Sequence, residues 1–260
     1  MDYYVIDAFA DGLFKGNPAG VCVVRSPVSD CLMQNIAFEN NLAETAFLSE
    51  RKGGYSLRWF TPETEMDLCG HATLASAFVV MNYIETSINE VVFETRSGTL
   101  AVRRDGNVFT MDFPSRKPVP VDIPPGLEKA LGCRMLQTQL SRDLLAVVES
   151  ADIVSGLRPD IDMLRQISSE LAFGIIVTAR GSDCDFVSRF FAPNAGITED
   201  PVTGSSHSTL IPFWSELLSK NVMIARQLSR RGGTIFCENR GERVRIGGTA
   251  VCYLKGELYI

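Results

Sequence analysis

Glu44 is the residue in this sequence whose type and setting best suit proton transfer. It lies in the apolar run Leu42-Ala43-Glu44-Thr45-Ala46-Phe47. Burial there would favour the neutral form of the carboxyl group, which suits a group that takes up and releases a proton near neutral pH. The competing interpretation is that Glu44 begins a strand and is simply solvated, as most single glutamates are.

Two further ionisable residues, His71 and Asp200, could assist such chemistry. An imidazole can hold or relay a proton because it titrates near neutrality, but His71 could equally cap or pack a helix. Asp200 precedes a proline, which is ordinary turn chemistry and needs no catalysis. We predict a structural role for the only other histidine, His207. Cys69 is a small buried hydrophobe by default, or a helix N-terminal thiol with a lowered pKa.

Composition limits the classes of function. The net charge of −6 and the pI near 5.1 argue against a nucleic-acid surface. Seven scattered cysteines without Cys-x-x-Cys spacing predict neither a disulfide framework nor a zinc site, and two histidines make a catalytic metal improbable. The N-terminus lacks a signal-peptide pattern, and the longest apolar run, 72–81, is about half a membrane span. We therefore expect a soluble cytoplasmic protein with no membrane partner.

The pattern of apolar residues predicts strands and helices in alternation. A helix is expected from Asp30, as a possible N-cap, to Asn40, and another from Gly70 to Met81. The second of these is apolar nearly all round, which is typical of a helix enclosed by a sheet. The predicted strands are 3–8, 19–24, 45–49, 55–60, 91–95, 99–103, 108–113, 144–149 and 174–179, and a further helix is predicted at 160–171.

The segment 114–125 holds five of the twelve prolines and is the predicted domain linker. It divides the chain into an N-terminal half, 1–115, carrying Glu44 and His71, and a C-terminal half, 116–260, carrying Asp200, Gly204 and Ser205. We also allow that the last strand packs back on the N-terminal half.

The second half repeats the first. Residues 42–48 align with 171–177, and residues 58–62 align with 189–193, at a nearly constant offset. The repeat continues through Gly70 and Gly204, each of which opens a helix. Glu44 aligns with Phe173, so only one half carries an ionisable group at this position.

Two similar halves would bring corresponding loops to one crevice, where ligands usually bind. Glycine allows close backbone approach, and free N–H groups at a helix start bind anions. We therefore expect a substrate carboxylate between the two helix starts.

These motifs together resemble the PhzF family of phenazine-biosynthesis-like isomerases, a branch of the diaminopimelate-epimerase fold. The matching runs span the chain: 7–9, 16–19, 41–47, 58–62, 67–75, 189–193, 199–205, 232–233 and 247–248. Each run alone is weakly specific, but their order is distinctive. The resemblance implies an α+β protein of two pseudo-repeated domains, each a curved, mostly antiparallel sheet around a central helix, commonly assembled as a homodimer.

The resemblance also implies a cofactor-independent proton shift on a small carboxylate substrate. The family's catalytic glutamate, histidine and aspartate fall on Glu44, His71 and Asp200. Its substrate-binding positions fall on four residues at the two helix starts: Gly70, Ala72, Gly204 and Ser205. The chain departs from the family pattern at Ala43, Ser206, Ser208 and Thr209.

Two alternative functions stay open. An epimerase of the diaminopimelate or proline type needs a thiol from each half, and Cys69 has no counterpart near Asp200. A binding protein that kept the scaffold without catalysis is the second alternative, against which the joint presence of Glu44, His71 and Asp200 argues.

Overall fold

The computed structural model describes all 260 residues, and they form two compact units. The first unit comprises residues 1–112 and 247–260, and the second comprises residues 113–246. The sequence-based division at 115/116 lies close to the one in the structure, but it leaves residues 247–260 in the C-terminal half. In the structure these residues belong to the first unit, because the last strand pairs with the first strand of the chain. No helix in the structure has both the length and the apolar character needed to cross a membrane.

The first part of the chain contains eight strands and two helices. In order, these are β1 (Asp2–Ala8), β2 (Asn17–Val24), α1 (Asp30–Asn40), β3 (Glu44–Arg51), β4 (Gly54–Phe60), β5 (Glu65–Met66), α2 (Gly70–Val79), β6 (Glu90–Thr95), β7 (Gly98–Asp105) and β8 (Val108–Pro114). A π-helical turn, Val80–Ile84, extends α2.

The remainder of the chain contains ten strands and four helices. They are β9 (Val119–Val121), α3 (Leu127–Leu131), β10 (Gln137–Leu140), β11 (Leu144–Val147), α4 (Ala151–Gly156), α5 (Ile161–Leu171), β12 (Ile175–Arg180), β13 (Phe186–Ala192), β14 (Ile197–Asp200), α6 (Gly204–Leu218), β15 (Val222–Gln227), β16 (Gly233–Asn239), β17 (Arg243–Gly248) and β18 (Ala250–Glu257).

Within the first unit the sheet is mostly antiparallel. β1 pairs antiparallel with β2 and with β18, β3 pairs antiparallel with β4, and β6 with β7. Parallel pairing occurs between β2 and β3 and between β4 and β6. α1 packs Met33, Ile36 and Ala37 against β-sheet residues such as Phe47, and α2 lies against β1, β2 and β3.

The buried character of α2 confirms the prediction of an enclosed helix. Eight of its residues are buried, including Leu74, which is fully inaccessible to solvent. Its two buried hydroxyl groups are satisfied by the helix itself, since Thr73 donates to the carbonyl of Cys69 and Ser76 donates to that of Ala72. These two hydroxyl groups therefore add no unsatisfied polar group to the buried helix.

The second unit repeats the strand order of the first. β10 and β11 are antiparallel, β11 and β12 parallel, β12 and β13 antiparallel, and β13 and β15 parallel. The prolines of the predicted linker do not exclude a short strand, because β9 pairs with β10 and includes Pro120. α6 is buried along most of its length and packs on β16.

A matched ion pair marks the repeat in each unit. Arg58 binds Glu65 through two parallel hydrogen bonds of 2.7 and 2.8 Å. Arg189, its counterpart, binds Glu199 in the same way at 2.6 and 2.9 Å. In both units this fork joins the fourth strand of the repeat to the short strand before the buried helix, so it fixes the loop on which that helix begins.

The N-cap of helix α1 lies one residue earlier than the sequence predicted. Ser29, not Asp30, is the N-cap, and its hydroxyl accepts a hydrogen bond from the Leu32 N–H at 3.3 Å. Asn41 ends the helix in the left-handed conformation, with φ of 48°, and turns the chain into β3. The helix stop predicted at the Asn-Asn pair is confirmed.

We expect Glu199→Gln to lower the free energy of unfolding by about 2–4 kcal/mol, because it leaves the buried Arg189 guanidinium without its carboxylate. Asp162→Asn is the control, since Asp162 is highly exposed beside Arg165 and should change stability by less than about 0.5 kcal/mol. Urea unfolding measures both. Equal effects of the two variants would contradict the structural role of the fork.

Candidate active site

Glu44 begins β3, directly after the turn that ends α1. Its side chain is only 11% exposed, and its Cα lies opposite Ala19 of the parallel neighbour β2. The structure therefore overturns the interpretation that Glu44 is a solvated strand-end residue. A carboxyl group in such a place needs a partner, because isolated buried charge is costly.

His71 is that partner. It is the second residue of α2, its side chain is 8% exposed, and its Nε2 lies 3.0 Å from Glu44 Oε2. Neither of these two atoms makes a well-aligned hydrogen bond with any protein group, so their mutual contact is the interaction that each has. The first unit thus brings two of the predicted catalytic residues together.

Two more side chains surround the imidazole on its other nitrogen. Asn17, at the start of β2 and fully buried, places Nδ2 3.2 Å from His71 Nδ1. Cys69 places Sγ 3.6 Å from the same nitrogen. An asparagine amide has a donor end and an acceptor end, so Asn17 can match either protonation state of the ring by turning.

The electrostatics of the pair favour a charged imidazole. Burial alone would lower the pKa of His71, but the Cys69 sulfur and the Glu44 carboxylate outweigh burial and hold this pKa well above 6.5. Burial, and then Glu44, raise the pKa of the Cys69 thiol, so the thiol is neutral near pH 7. The Glu44 carboxylate is therefore the charge that keeps the second proton on His71.

Cys69 does not have the lowered pKa that its place before a helix suggested as one option. It occupies the N-cap position of α2, yet it is 6% exposed and makes no side-chain capping bond. Desolvation of the thiolate, followed by the charge of Glu44, outweighs the lowering effects of His71 and of the Ala72 backbone N–H. Cys69 behaves here as a buried neutral thiol.

Glu44, Cys69 and His71 offer three potential metal-ligand atoms within 4.8 Å of one another. Glu44 contacts Nε2 of the ring, whereas Cys69 lies beside Nδ1. One ion binds only one nitrogen of an imidazole, so a single ion here would take either the nitrogen beside Glu44 or the one beside Cys69. Binding would also require the buried Cys69 thiol to lose its proton, which its raised pKa opposes.

In the second unit, Asp200 is held by two neighbours near the start of α6. The Thr203 hydroxyl donates to Asp200 Oδ2 at 2.5 Å, and Gln227 Nε2 donates to the Asp200 carbonyl at 2.7 Å. Gln227 also accepts from the Thr203 N–H at 2.9 Å. Both the carboxylate and the backbone carbonyl of Asp200 are therefore held by hydrogen bonds.

The predicted binding residues Gly70, Ala72, Gly204 and Ser205 all lie in the first turns of two buried helices. Gly70 and Gly204 are the first residues of α2 and α6. Neither N-cap residue, Cys69 or Thr203, uses its side chain to cap the first-turn N–H groups. These donors are therefore not occupied by the usual capping interaction.

His207 is structural, as the sequence suggested. It is fully buried, its Nδ1–H donates to the Thr203 carbonyl at 2.8 Å, and its ring lies beside Phe186. Burial lowers the pKa of His207 to about 4, so the ring is neutral at pH 7. The chain therefore has one charged and one neutral buried histidine.

Sequence reasoning missed three residues of the two sites: Asn17, Thr203 and Gln227. Asn17 was considered only within the run 16–19 that matches the family, and no role was assigned to it. Gln227 had no local signal, because its contacts to Asp200 and Thr203 depend on the pairing of β13 with β15.

Two buried histidines allow a direct test of these electrostatics. We expect the His71 ring to titrate above pH 6.5 and the His207 ring near pH 4, because only His71 faces a carboxylate. NMR titration of the imidazole C–H signals, assigned with His71→Gln and His207→Gln, measures both. Glu44→Gln should lower the midpoint of His71 and leave His207 unchanged; an unmoved His71 midpoint would contradict the pairing.

The same shift has a defined effect on stability. The folded pKa of His71 exceeds the value of about 6.5 for an unfolded chain, so its stabilisation is fully present below that pH. It is lost as the pH rises through the folded pKa. Urea unfolding across this window should show a steeper loss in the wild type than in Glu44→Gln.

Comparison with known proteins supplies relatives over the full chain. Residues 6–256 match the PhzC-PhzF family, described as "Phenazine biosynthesis-like protein". An uncharacterized isomerase of Pseudomonas aeruginosa is 46% identical over 260 residues, covering 100% of this chain and 99% of that protein. The human phenazine biosynthesis-like domain-containing protein is 36% identical over 284 residues, covering 99% of each chain.

Solved structures show the same fold. A PhzF family protein from Enterococcus faecalis superimposes with a TM-score of 0.97 at 47% identity, covering 100% of this chain and 99% of that one. A probable proline racemase from Agrobacterium radiobacter has a TM-score of 0.65 at 10% identity, covering 100% and 93% of the two chains. The second likeness concerns the fold alone, and it confirms the predicted epimerase-like architecture of two pseudo-repeated domains.

Proposed function

This chain is an isomerase of the PhzC-PhzF family of phenazine biosynthesis-like proteins, and we propose that it moves a proton within a small carboxylate substrate without a cofactor. Glu44 is the group that takes the proton from one carbon and returns it to another. The observation that carries this proposal is the buried 3.0 Å contact between Glu44 and His71.

The protonated His71 prepares Glu44 for the first step. A carboxylate accepts a proton only in its ionised form. The imidazolium of His71 lies 3.0 Å from Glu44 Oε2 and places a positive charge beside this group. When the C–H bond breaks, the proton passes to Glu44 and the electron pair remains on the substrate. When the new C–H bond forms, Glu44 returns a proton, which exchange with solvent can replace by deuterium.

The starts of α2 and α6 are suited to anchoring the substrate carboxylate. Uncapped first-turn N–H groups and the helix dipole both favour an anion. In this proposal Gly70, Ala72, Gly204 and Ser205 bind the substrate, and Asp200 positions it. The Thr203 hydroxyl and Gln227 keep Asp200 in place for that task.

An epimerase with two opposed thiols is the less favoured alternative. Cys69 is a neutral thiol at the N-cap of α2, and the corresponding N-cap of α6 is Thr203. A threonine hydroxyl donated to Asp200 is a poor replacement for a cysteine acid. Only one half thus carries a base of suitable type, which favours a single-base mechanism.

The cytoplasmic location and the homodimer implied by the family resemblance belong to this proposal. So does the absence of nucleic-acid and membrane partners, which rests on the acidic composition and the lack of a spanning helix.

We expect Glu44→Gln to reduce solvent deuterium incorporation into the substrate by at least about 100-fold, because general base catalysis is lost. Glu50→Gln is the matched control, since Glu50 lies exposed in the same strand and should leave exchange unchanged. Proton NMR in deuterium oxide follows the exchange, with substrates first found by screening small carboxylates for thermal stabilisation.

The same assay separates catalysis from binding. A ligand that binds the folded state raises the melting temperature by mass action. Glu44→Gln should therefore keep the thermal shift while losing exchange. Unchanged exchange in this variant would refute the role of Glu44, and a wild type that binds ligands without exchange would favour the non-catalytic binding function.

We expect Cys69→Ala to retain exchange within about 3-fold of the wild type, because the thiol is neutral and does not transfer the proton. His71→Gln should lose much more activity, since it removes the imidazole that contacts the Glu44 carboxyl group at 3.0 Å. An inactive but folded Cys69→Ala protein would revive the thiol mechanism. Circular dichroism and the melting temperature establish folding of both variants.

A further inference from the structure

Arg142 in the second unit binds three different groups at once. Its Nη2 donates to Asp143 Oδ2 at 2.9 Å and to Ser205 Oγ at 3.1 Å. Its guanidinium carbon lies 4.6 Å from the centre of the Phe173 ring. A planar cation held by a carboxylate, a hydroxyl and an aromatic face has little freedom to move.

Asp143 is the fixed point of this cluster. Its side chain is fully buried, and it accepts a bifurcated contact from Arg142 Nε in addition to the bond from Nη2. Burial raises the pKa of Asp143, while Arg142, Arg116 and the backbone of Gly174 oppose that rise. The carboxylate thus depends on its arginine neighbours for its charge.

Arg116 adds a second cation beside Arg142. Its backbone N–H donates to the Ser208 carbonyl of α6 at 2.9 Å, and its buried Nη1 makes no hydrogen bond with the protein. Burial, followed by the charge of Arg142, lowers the pKa of Arg116, and Asp143 opposes this. Two guanidinium groups face one carboxylate, so the cluster carries an excess positive charge.

The contact with Arg142 decides which way the Ser205 hydroxyl can act. A guanidinium has only donors, so Ser205 Oγ must accept from Arg142. The hydroxyl hydrogen of Ser205 is then directed away from Arg142 and is available as a donor. Ser205 is also the second residue of α6, whose N-cap side chain makes no capping bond.

We propose that Arg142 is a positioning residue that turns Ser205 into a hydrogen-bond donor and gives the second unit a preference for a carboxylate over a neutral group of the same shape. This inference rests on the proposed function, because it concerns how the Ser205 end of the site selects its substrate. It assigns a role to a residue that the sequence patterns did not indicate.

The repeat explains why this cation sits where it does. Phe173 aligns with Glu44. At this position the first half carries the proposed proton-transferring group, and the second half carries the ring that packs against Arg142. Gly174, which follows it, has no room for a side chain, since an added Cβ would lie 2.4 Å from Phe190. The second half has thus replaced a base by a support for a cation.

The test compares binding of benzoate with binding of benzamide, its neutral isostere, to the full-length protein by calorimetry. We expect the wild type to prefer benzoate and Arg142→Gln to weaken benzoate binding about 10-fold while changing benzamide little, as loss of a charge-assisted donor predicts. Arg142→Lys keeps the charge without the fork and should fall between them. Arg165→Gln, an exposed arginine of the same unit, is the control.

Ser205→Ala provides a second test of the proposal if Arg142→Gln does not fold. It removes the hydroxyl and leaves the Arg142–Asp143 pair intact, so it should lose the same preference for benzoate. Equal affinities of the wild type for the two probes, or an unchanged preference in folded Arg142→Gln and in Ser205→Ala, would overturn the proposal.

A second comparison separates this proposal from the proposed function. The Arg142-dependent preference should persist in the Glu44→Gln background, where proton transfer is lost. If no substrate exchanges a proton but the preference for benzoate remains, the proposed function is refuted and the proposed role of Arg142 is retained. Once a substrate is known, Arg142→Gln should raise KM more than it lowers kcat, whereas a loss in kcat alone would contradict an anchoring role.

Discussion

The contact between Glu44 and His71 is the interaction on which the rest of the first unit depends. Two ionisable groups are removed from water there, and the desolvation cost of several kcal/mol per ion is offset only when each faces the other closely. Such closeness needs three elements in register: β3 for the carboxylate, α2 for the imidazole, and β2 for Asn17. The buried position of α2 against these strands supplies that rigidity.

The internal repeat shows how one scaffold acquired unequal halves. The fork of Arg58 with Glu65 and that of Arg189 with Glu199 keep the same geometry, because both fix a loop before a buried helix. Away from these supports the halves diverge, and Cys69 at one N-cap corresponds to Thr203 at the other. The ion pairs that support the two buried helices are thus alike in the two units, whereas the residues at the helix starts differ.

The sequence was a good guide wherever the determining forces are local. The strands show either alternating or continuous apolar residues. The end of α1 at Asn41 follows from the tolerance of asparagine for the left-handed conformation. The capping residue was misplaced by one position, because Ser29 and Asp30 are both good caps and only the chain path distinguishes them. The contacts of Asn17 with His71 join distant segments, so no local pattern could specify them.

The antiparallel pairing of β18 with β1 gives the first unit an unusual order of assembly. The backbone of Met1 is hydrogen-bonded to Leu258, so the earliest and latest parts of the chain lie side by side. The second unit is contiguous in sequence, whereas the sheet around Glu44 stays open along one edge until β18 has been synthesised. Long-range closure of this kind is intrinsically slow, and the unit that holds the Glu44–His71 contact is therefore completed last.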